Sequence, residues 1–535
     1  MRRNLGVVVF LGAAMAGLPL AAQTPAPQTP AAKPAAAAPQ APVIHVTELA
    51  ARPRPHDSRP AAIMAAISPA RIKQLDNKLI SFGTRVATSD YHPAVDGQPA
   101  APPQSTDTRG VIPARNWIKS QFDAISKANG GRLQVSLDTF PVAQGSRIPV
   151  AQTMANVVAI LPGTDPNDKR IFVVSGHYDS IPANFDQDAP GANDDASGTI
   201  VSMEAARALA PFQFPATIEF LTVEGEEQGL YGSKHAADSA KAAGQDIAAM
   251  LNDDIVGGDQ TPGHENRGTV RIYSQGVNPN LTPQELRQIV ANSWENDSPS
   301  REVARFASEI AHIYLPAFPA LLEYRPDRFQ RGGDHESFVN DGFAAVRFTE
   351  FHENSNHQHV ALGVTPAGVE LGDRGKWISP AYIANVARVN ALTLAALASS
   401  PQPPEHVYFR GGQSIGTPID WTPVEGAASY RVLLRPTASQ QWTMRIPAPA
   451  VAAPPAPVRP GAEPPAAPPV PMYRITIPQS PDNYVIAMVA VDKDGHESLP
   501  TLGAAAPRGR GGFGRGRGGR GAAPSAGGRG TGGGI

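Results

Sequence analysis

The 535-residue chain contains no cysteine. That excludes a disulfide framework, thiolate metal sites, cysteine-ligated iron–sulfur clusters and a cysteine nucleophile, so any metal must be held by His, Asp or Glu. Aromatic residues are scarce at 6%, although apolar residues reach 41%, enough for a sizeable core. No sign of charge dominates, with 46 Lys and Arg against 48 Asp and Glu, which speaks against a wholesale nucleic-acid binder. Long apolar runs are nearly absent. Leu5 to Leu20 is short for a bilayer span of ~20 residues and contains Pro19. It follows Arg2 and Arg3 and leads into Ala21-Ala22-Gln23, the pattern of a cleaved export signal over residues 1–22. No other stretch reads as long and apolar enough to cross a bilayer. The mature protein is therefore expected to be periplasmic or secreted, without a transmembrane span.

Proline (55) and glycine (50) are abundant and concentrated in a few stretches, which divide the chain. Residues 23–64 read as a disordered Ala/Pro-rich spacer. Residues 504–535 read as a disordered Gly/Arg tail carrying Arg508, Arg510, Arg515, Arg517, Arg520 and Arg529, able to contact anionic surfaces. Between them, residues 65–400 alternate strand and helix patterns: a helix capped by Ser68-Pro69, a helix over Pro113 to Ala128, a strand from Leu133 to Phe140. Asn156–Leu161 and Arg170–Ser175 are read as a hairpin. Strands follow at Thr217–Val223, Ala248–Asn252 and Ala344–Phe348, and a last helix at Ser379-Pro380. The expected fold class is α/β, a mixed central sheet with helices on both faces, followed by a small all-β sandwich at residues 405–503 with a Pro-rich insert at 447–471.

Polar residues gather where these strands end. The strand Ile171–Ser175 runs into Gly176-His177-Tyr178-Asp179, then a loop with Asn193-Asp194-Asp195. Others end in Glu224-Gly225-Glu226-Glu227, in Asp253-Asp254, and in Glu353 to His359. Open α/β sheets bind ligands beyond the carboxyl ends of their strands. Converging carboxylates repel unless a cation neutralises them, and oxygen with imidazole but no sulfur suits Zn²⁺, Mn²⁺ or Co²⁺. Of the adjacent Glu226 and Glu227, one can ligate while its neighbour takes a proton from water.

The series His177-x-Asp179, Gly191-Ala192-Asn193-Asp194-Asp195-Ala196-Ser197-Gly198, Glu226-Glu227-x-Gly229-Leu230-x-Gly232-Ser233 and Asn252-x-Asp254 resembles the M28 family of zinc metallopeptidases. The resemblance covers residues 65 to 400. It implies an exopeptidase, mostly of the aminopeptidase kind, with two Zn²⁺ per chain and a peptide substrate, and no specific nucleic-acid partner. It implies His177 and Asp254 on one zinc, Glu227 and a late histidine on the other, Asp194 bridging, Glu226 as general base and Asp179 behind His177. It also implies a cis peptide between Asp194 and Asp195. For the late histidine, laying the family pattern on Asn356-His357-Gln358-His359 favours His357 over His359, with His352 third. The turn Gly333-Asp334-His335 is expected to line the site, and the segment Gly257 to Arg331 to shape a specificity pocket or lid. His235 and His92 are expected to be surface or structural residues. A carboxypeptidase or dipeptidase on the same scaffold is the alternative; a non-catalytic binding protein would be expected to have lost ligands. Trp421-x-Pro423 and Ala428-x-Tyr430-x-Val432 near the carboxyl end resemble a fibronectin type III domain.

Overall fold

A computed structural model describes residues 52–89, 108–182, 188–263, 265–266, 268–409, 416–450, 452 and 472–506. The export signal, His92, nearly all of the tail and most of the Pro-rich insert fall outside these residues.

Eight strands form the central sheet: β1 (Gln134–Val142), β2 (Gln152–Leu161), β3 (Arg170–His177), β4 (Thr217–Val223), β5 (Asp246–Asp253), β6 (Val270–Ser274), β7 (Ala320–Glu323) and β8 (Ala345–Glu350). Their order is β1-β2-β4-β3-β5-β8-β6-β7. The four central strands β4, β3, β5 and β8 are mutually parallel, while β1, β2 and β6 introduce antiparallel pairs. The expected hairpin between β2 and β3 does not form: β4 lies between them, antiparallel to β2 and parallel to β3. The turn Gly163 to Asp168 looks like a hairpin loop by composition, yet its chain crosses behind the inserted strand.

Both faces of the sheet are covered because its central strands alternate large apolar side chains to both sides. Phe172 and Val174 of β3 join the cluster under helices Pro69–Ile80, Ala196–Leu209 and Pro380–Ser399. Val173 joins the opposite cluster under Tyr231–Ala242 and His335–Asn340. Ser68 caps the first of these helices, its side chain accepting from the Arg71 amide, with Pro69 in the first turn. Helix Pro380–Ser399 is long and apolar enough to cross a bilayer by length and composition, contrary to the sequence reading, but 78% of its apolar window is buried inside the protein. That burial is what a central core helix needs.

Beyond Pro401, two four-stranded sheets built from short strands face each other around Trp421, Tyr430, Val432 and Met488. The Trp421 and Tyr430 rings lie 5.3 Å apart, and the Tyr430 hydroxyl accepts from the Val424 amide. This small β-sandwich is docked on helix Pro299–Tyr314 through buried charges. Arg305 bonds Asp297 at 2.9 Å and the Gln440 carbonyl at 2.7 Å, Arg435 pairs with Asp297, and the Trp442 indole donates to Glu302. Arg445 pairs with Glu497 at 2.7 Å and with Glu309.

Part of the expected spacer is ordered. Residues 59–66 form a helix over Arg59–Ala66, and Arg52 reaches Glu309 at 2.8 Å and Glu497 at 3.4 Å. The His56 amide donates to the Asp494 carbonyl at 2.7 Å. The arginines and prolines here read as spacer composition, yet Arg52 is bound by acids hundreds of positions away.

Candidate active site

The sheet reverses its winding between β3 and β5: the connection from β3 leads to β4 on one side, that from β5 toward β8 on the other. Such a point opens a crevice at the strand ends, and the polar residues are delivered there. His177 is the last residue of β3, and Asp254 follows β5 directly. Glu226 and Glu227 open the short helix Glu226–Gly229 after β4. Asp194 lies in the loop that becomes helix Ala196–Leu209. That helix can approach the sheet closely because Gly176 and Gly198 meet without side chains. Asp195 caps it, accepting from the Gly198 amide at 2.8 Å, and its other oxygen accepts from the His177 amide at 3.1 Å. The Asp194–Asp195 peptide is cis.

The two oxygens of Asp194 face different partners. Oδ1 lies 3.2 Å from His177 Nε2, which is also 3.8 Å from Asp254 Oδ1. Oδ2 lies 2.9 Å from His359 Nε2, which is 3.2 Å from Glu227 Oε2. His177, Asp194 and Asp254 thus form one group of donor atoms, and Asp194, Glu227 and His359 another. His177 Nε2 and Glu227 Oε1 are buried without a hydrogen-bond partner. Buried polar atoms left so are costly unless something else engages them. Orphaned donors aimed into an all-nitrogen-and-oxygen cluster fit a metal of the zinc type.

The sequence alignment favoured His357 as the late histidine; the structure brings His359 to the cluster instead. His357 is buried elsewhere, its Nδ1 2.5 Å from Asp259 Oδ2 and its ring stacked on Trp377. The two histidines sit on an irregular turn where His359 takes a left-handed backbone, φ 52°. Spacing alone does not give side-chain direction on such a turn. His352 is exposed, held through its backbone to Asn266. His235 is partly buried, stacked on Phe140 and 3.1 Å from Asp138. His335 turns away to the Pro326 carbonyl, while Asp334 is buried behind the site.

Asp179 has more partners than the sequence suggested. Its carboxylate lies 3.5 Å from His177 Nδ1 and accepts from the amides of Glu226 and Glu227 at 3.3 and 3.2 Å. It therefore fixes the ring and the Glu-Glu turn together. Two supporting residues escaped the sequence reading. Asp373 accepts from the amides of Asn193 and Asp194, at 2.9 and 2.7 Å, and so fixes the Asp194 loop. Arg347, fully buried on β8, lies 3.0 Å from Asp254. No motif announces Asp373, whereas an arginine inside the apolar strand Ala345–Glu350 was a visible signal.

The crowding sets proton affinities. Desolvation pushes Glu226 well above the usual carboxylate range, and the charges of Asp254 and Glu227 add to it. Desolvation, with Asp194 close by, raises Glu227 to about 7. Burial alone would lower His177, but the carboxylates of Asp179, Asp194 and Asp254 around the ring outweigh it and hold the imidazole well above its ordinary value. Burial opposes a low value for Asp194, yet bonds from His177 and His359 bring it well below the usual range. A cavity of about 420 Å³ opens above Asp194, Glu226, Glu227, Asp254 and His359.

Known proteins resemble this chain. The profile of peptidase family M28 matches residues 156–363. A protein of Pyricularia oryzae described as a probable zinc metalloprotease is 38% identical over 397 residues, covering 72% of this chain and 76% of its own. Another of that description, from Pyrenophora tritici-repentis, is 35% identical over 457 residues, covering 83% and 87%. The crystal structure of the LapA aminopeptidase of Legionella pneumophila is a distant likeness: 21% identity, TM-score 0.43, covering 64% of this chain and 75% of that one. The profile spans the ends of β3, β4 and β5 that carry His177, the Glu226–Glu227 pair and Asp254, and with relatives matched over three quarters or more of their length, this chain belongs to peptidase family M28.

Proposed function

We propose that the chain is an exported exopeptidase that removes N-terminal residues from peptides and works with two zinc ions. The observation that carries this reading is the division of Asp194: one oxygen shared with His177 and Asp254, the other with His359 and Glu227. His177, Asp194 and Asp254 would hold one ion; Asp194, Glu227 and His359 the other. When bound, the ions supply Lewis acidity toward the scissile carbonyl and toward water.

The chain's own residues do the rest. Glu226 reaches the cavity and lies outside the two groups centred on Asp194, although it also falls within reach of His177 and Glu227; we assign its carboxylate to taking a proton from the attacking water and returning it to the leaving nitrogen. Its raised proton affinity suits a group that must take up a proton and hand it on. Asp179 orients His177 and the Glu226 backbone at once, and Asp373 holds the Asp194 loop. Export rests on the pattern of Arg2 to Gln23, and a fibronectin type III assignment of the sandwich on its paired sheets and the Trp421–Tyr430 contact.

The test is hydrolysis of aminoacyl-arylamides and their N-blocked counterparts, with and without chelator, by wild type and Glu226→Gln. Cleavage of free-amine substrates alone, abolished by chelator, restored by zinc and lost in the variant, is the expected result. Cleavage only of N-blocked peptides from the carboxyl end would replace the aminopeptidase with the carboxypeptidase alternative.

A further inference from the structure

Four arginines line the cavity over the acid cluster: Arg147, Arg328, Arg331 and Arg347. Setting aside the four carboxylates assigned to metal and proton transfer, the only other acid lining it, among the described residues, is Glu336. Three of the arginines share a small set of counterions. Arg347 lies between Asp254 at 3.0 Å and Asp327 at 3.2 Å. Arg328 spans Asp327 at 2.9 Å and Glu353 at 2.6 Å. Arg331 also uses Glu353, at 2.8 Å, with its side chain 37% exposed. Arg271 takes the same Glu353 at 2.9 Å. Four guanidinium groups therefore draw on Asp327 and Glu353, with Asp254 already committed to His177.

Arg147 differs. It comes from the loop between β1 and β2 and donates from one terminal nitrogen to the Glu227 carbonyl at 2.9 Å. Among the described residues no carboxylate pairs with it. A main-chain bond thus sets the guanidinium of this exposed residue beside the Glu-Glu turn while most of its donors remain open. A planar five-donor fork so placed can receive a carboxylate through two parallel charge-assisted bonds.

Resting on the exopeptidase reading, we propose that the cleft selects peptides carrying a carboxylate on a residue flanking the cleaved bond, with Arg147 and Arg331 as the specificity-determining contacts. The carboxylate has two possible sources, an Asp or Glu side chain or the free α-carboxylate of a dipeptide, and the substrates separate them.

The zinc-loaded full chain is assayed on three isosteric pairs: Glu- against Gln-arylamide, Ala-Glu-amide against Ala-Gln-amide, and Ala-Ala against Ala-Ala-amide. In at least one pair the acid is expected to exceed its amide in kcat/KM by about tenfold or more, mainly through KM. The first two pairs report a side chain, the third an α-carboxylate. Arg147→Gln and Arg331→Gln should each bring that ratio toward one, and Arg147→Lys should retain part of it. An active enzyme whose three ratios all lie within about twofold of one overturns the proposal and leaves the exopeptidase reading standing. If no peptide is cleaved, that reading falls, and the subsite is read by equilibrium binding of N-acetylglutamate against N-acetylglutamine. Tighter binding of the acid, weakened in Arg147→Gln, supports the carboxylate subsite; equal binding overturns it.

Discussion

Two places in this molecule bury many charges, and they are built on opposite plans. Between the sandwich and helix Pro299–Tyr314, Asp297, Glu302, Glu309 and Glu497 are met by Arg52, Arg305, Arg435 and Arg445. Each acid has a guanidinium, so the charge closes within the protein. In the crevice, Asp194, Glu226, Glu227 and Asp254 crowd around His177 and His359, and among the described residues Arg347 is the one guanidinium that pairs with any of the four. There the account stays open on the negative side, and orphaned donors point inward. Buried ions cost several kcal/mol each unless fully paired. A balanced network therefore reads as structure, and an unbalanced one as a site whose partner comes from outside.

Breaking the comparison on the crevice side should produce the largest effect. Glu226→Gln should lower kcat by roughly 10²–10⁴-fold while melting temperature and zinc content, measured by scanning calorimetry and elemental analysis, stay at wild-type values. On the interface side the sign of the outcome reverses. Arg305→Met leaves Asp297 to Arg435 and Glu302 to the Trp442 indole alone, and should cost up to about 3–5 kcal/mol in denaturant unfolding, with kcat at low temperature unchanged. A variant that lost activity and kept stability would place this network in the chemistry instead.

The histidine pair sharpens the contrast within one turn. His359→Gln should lower zinc content without destabilising the fold. His357→Gln should keep the zinc and lose about 1–3 kcal/mol, because Asp259 is left buried without its partner. The reverse pattern in paired elemental analysis and thermal melts would return the ligand role to His357.

The smallest effect concerns pH at a third cluster, where His496 of the sandwich meets Asp57 and Asp492. Burial alone would lower His496, but Asp492 and Asp57 raise it from its ordinary 6.5 to about 9. A group whose folded pKa is raised contributes fully below its unfolded value and loses that contribution as pH climbs through the folded one. Stability of the zinc-loaded protein should therefore fall between about pH 6.5 and pH 9, and His496→Gln should flatten that slope. An unchanged slope in the variant would mean that Asp57 and Asp492 do not hold the imidazole.

The fold class and the clustering of acids were legible because both follow from local pattern. Apolar runs of strand length such as Ile171 to Ser175, each ending in a titratable residue, need no tertiary knowledge to be read. Strand order was not legible: nothing in Asn156–Leu161 or Arg170–Ser175 says that Thr217–Val223 will insert between them. Composition misled around residue 54, where proline and arginine look like spacer. For Pro380–Ser399 the helix was legible, but its span-like length and apolarity, which burial in the core explains, were passed over. Within the site, residues at strand ends came through, whereas Asp373 and the choice of His359 depend on how loops pack.

The long reach of Arg52 has a temporal meaning. A ribosome makes this residue before Glu309 and Glu497, the acids that hold it. Glu309 lies among the residues of the central sheet, whose strands fall within residues 134–350, whereas Glu497 comes only with the sandwich. Half of the Arg52 contact is therefore available early, and the other half has to wait for the last strands. One early side chain is thereby tied both to the catalytic domain and to the sandwich, so the order in which its two acids arrive is also the order in which the two domains can be joined through it.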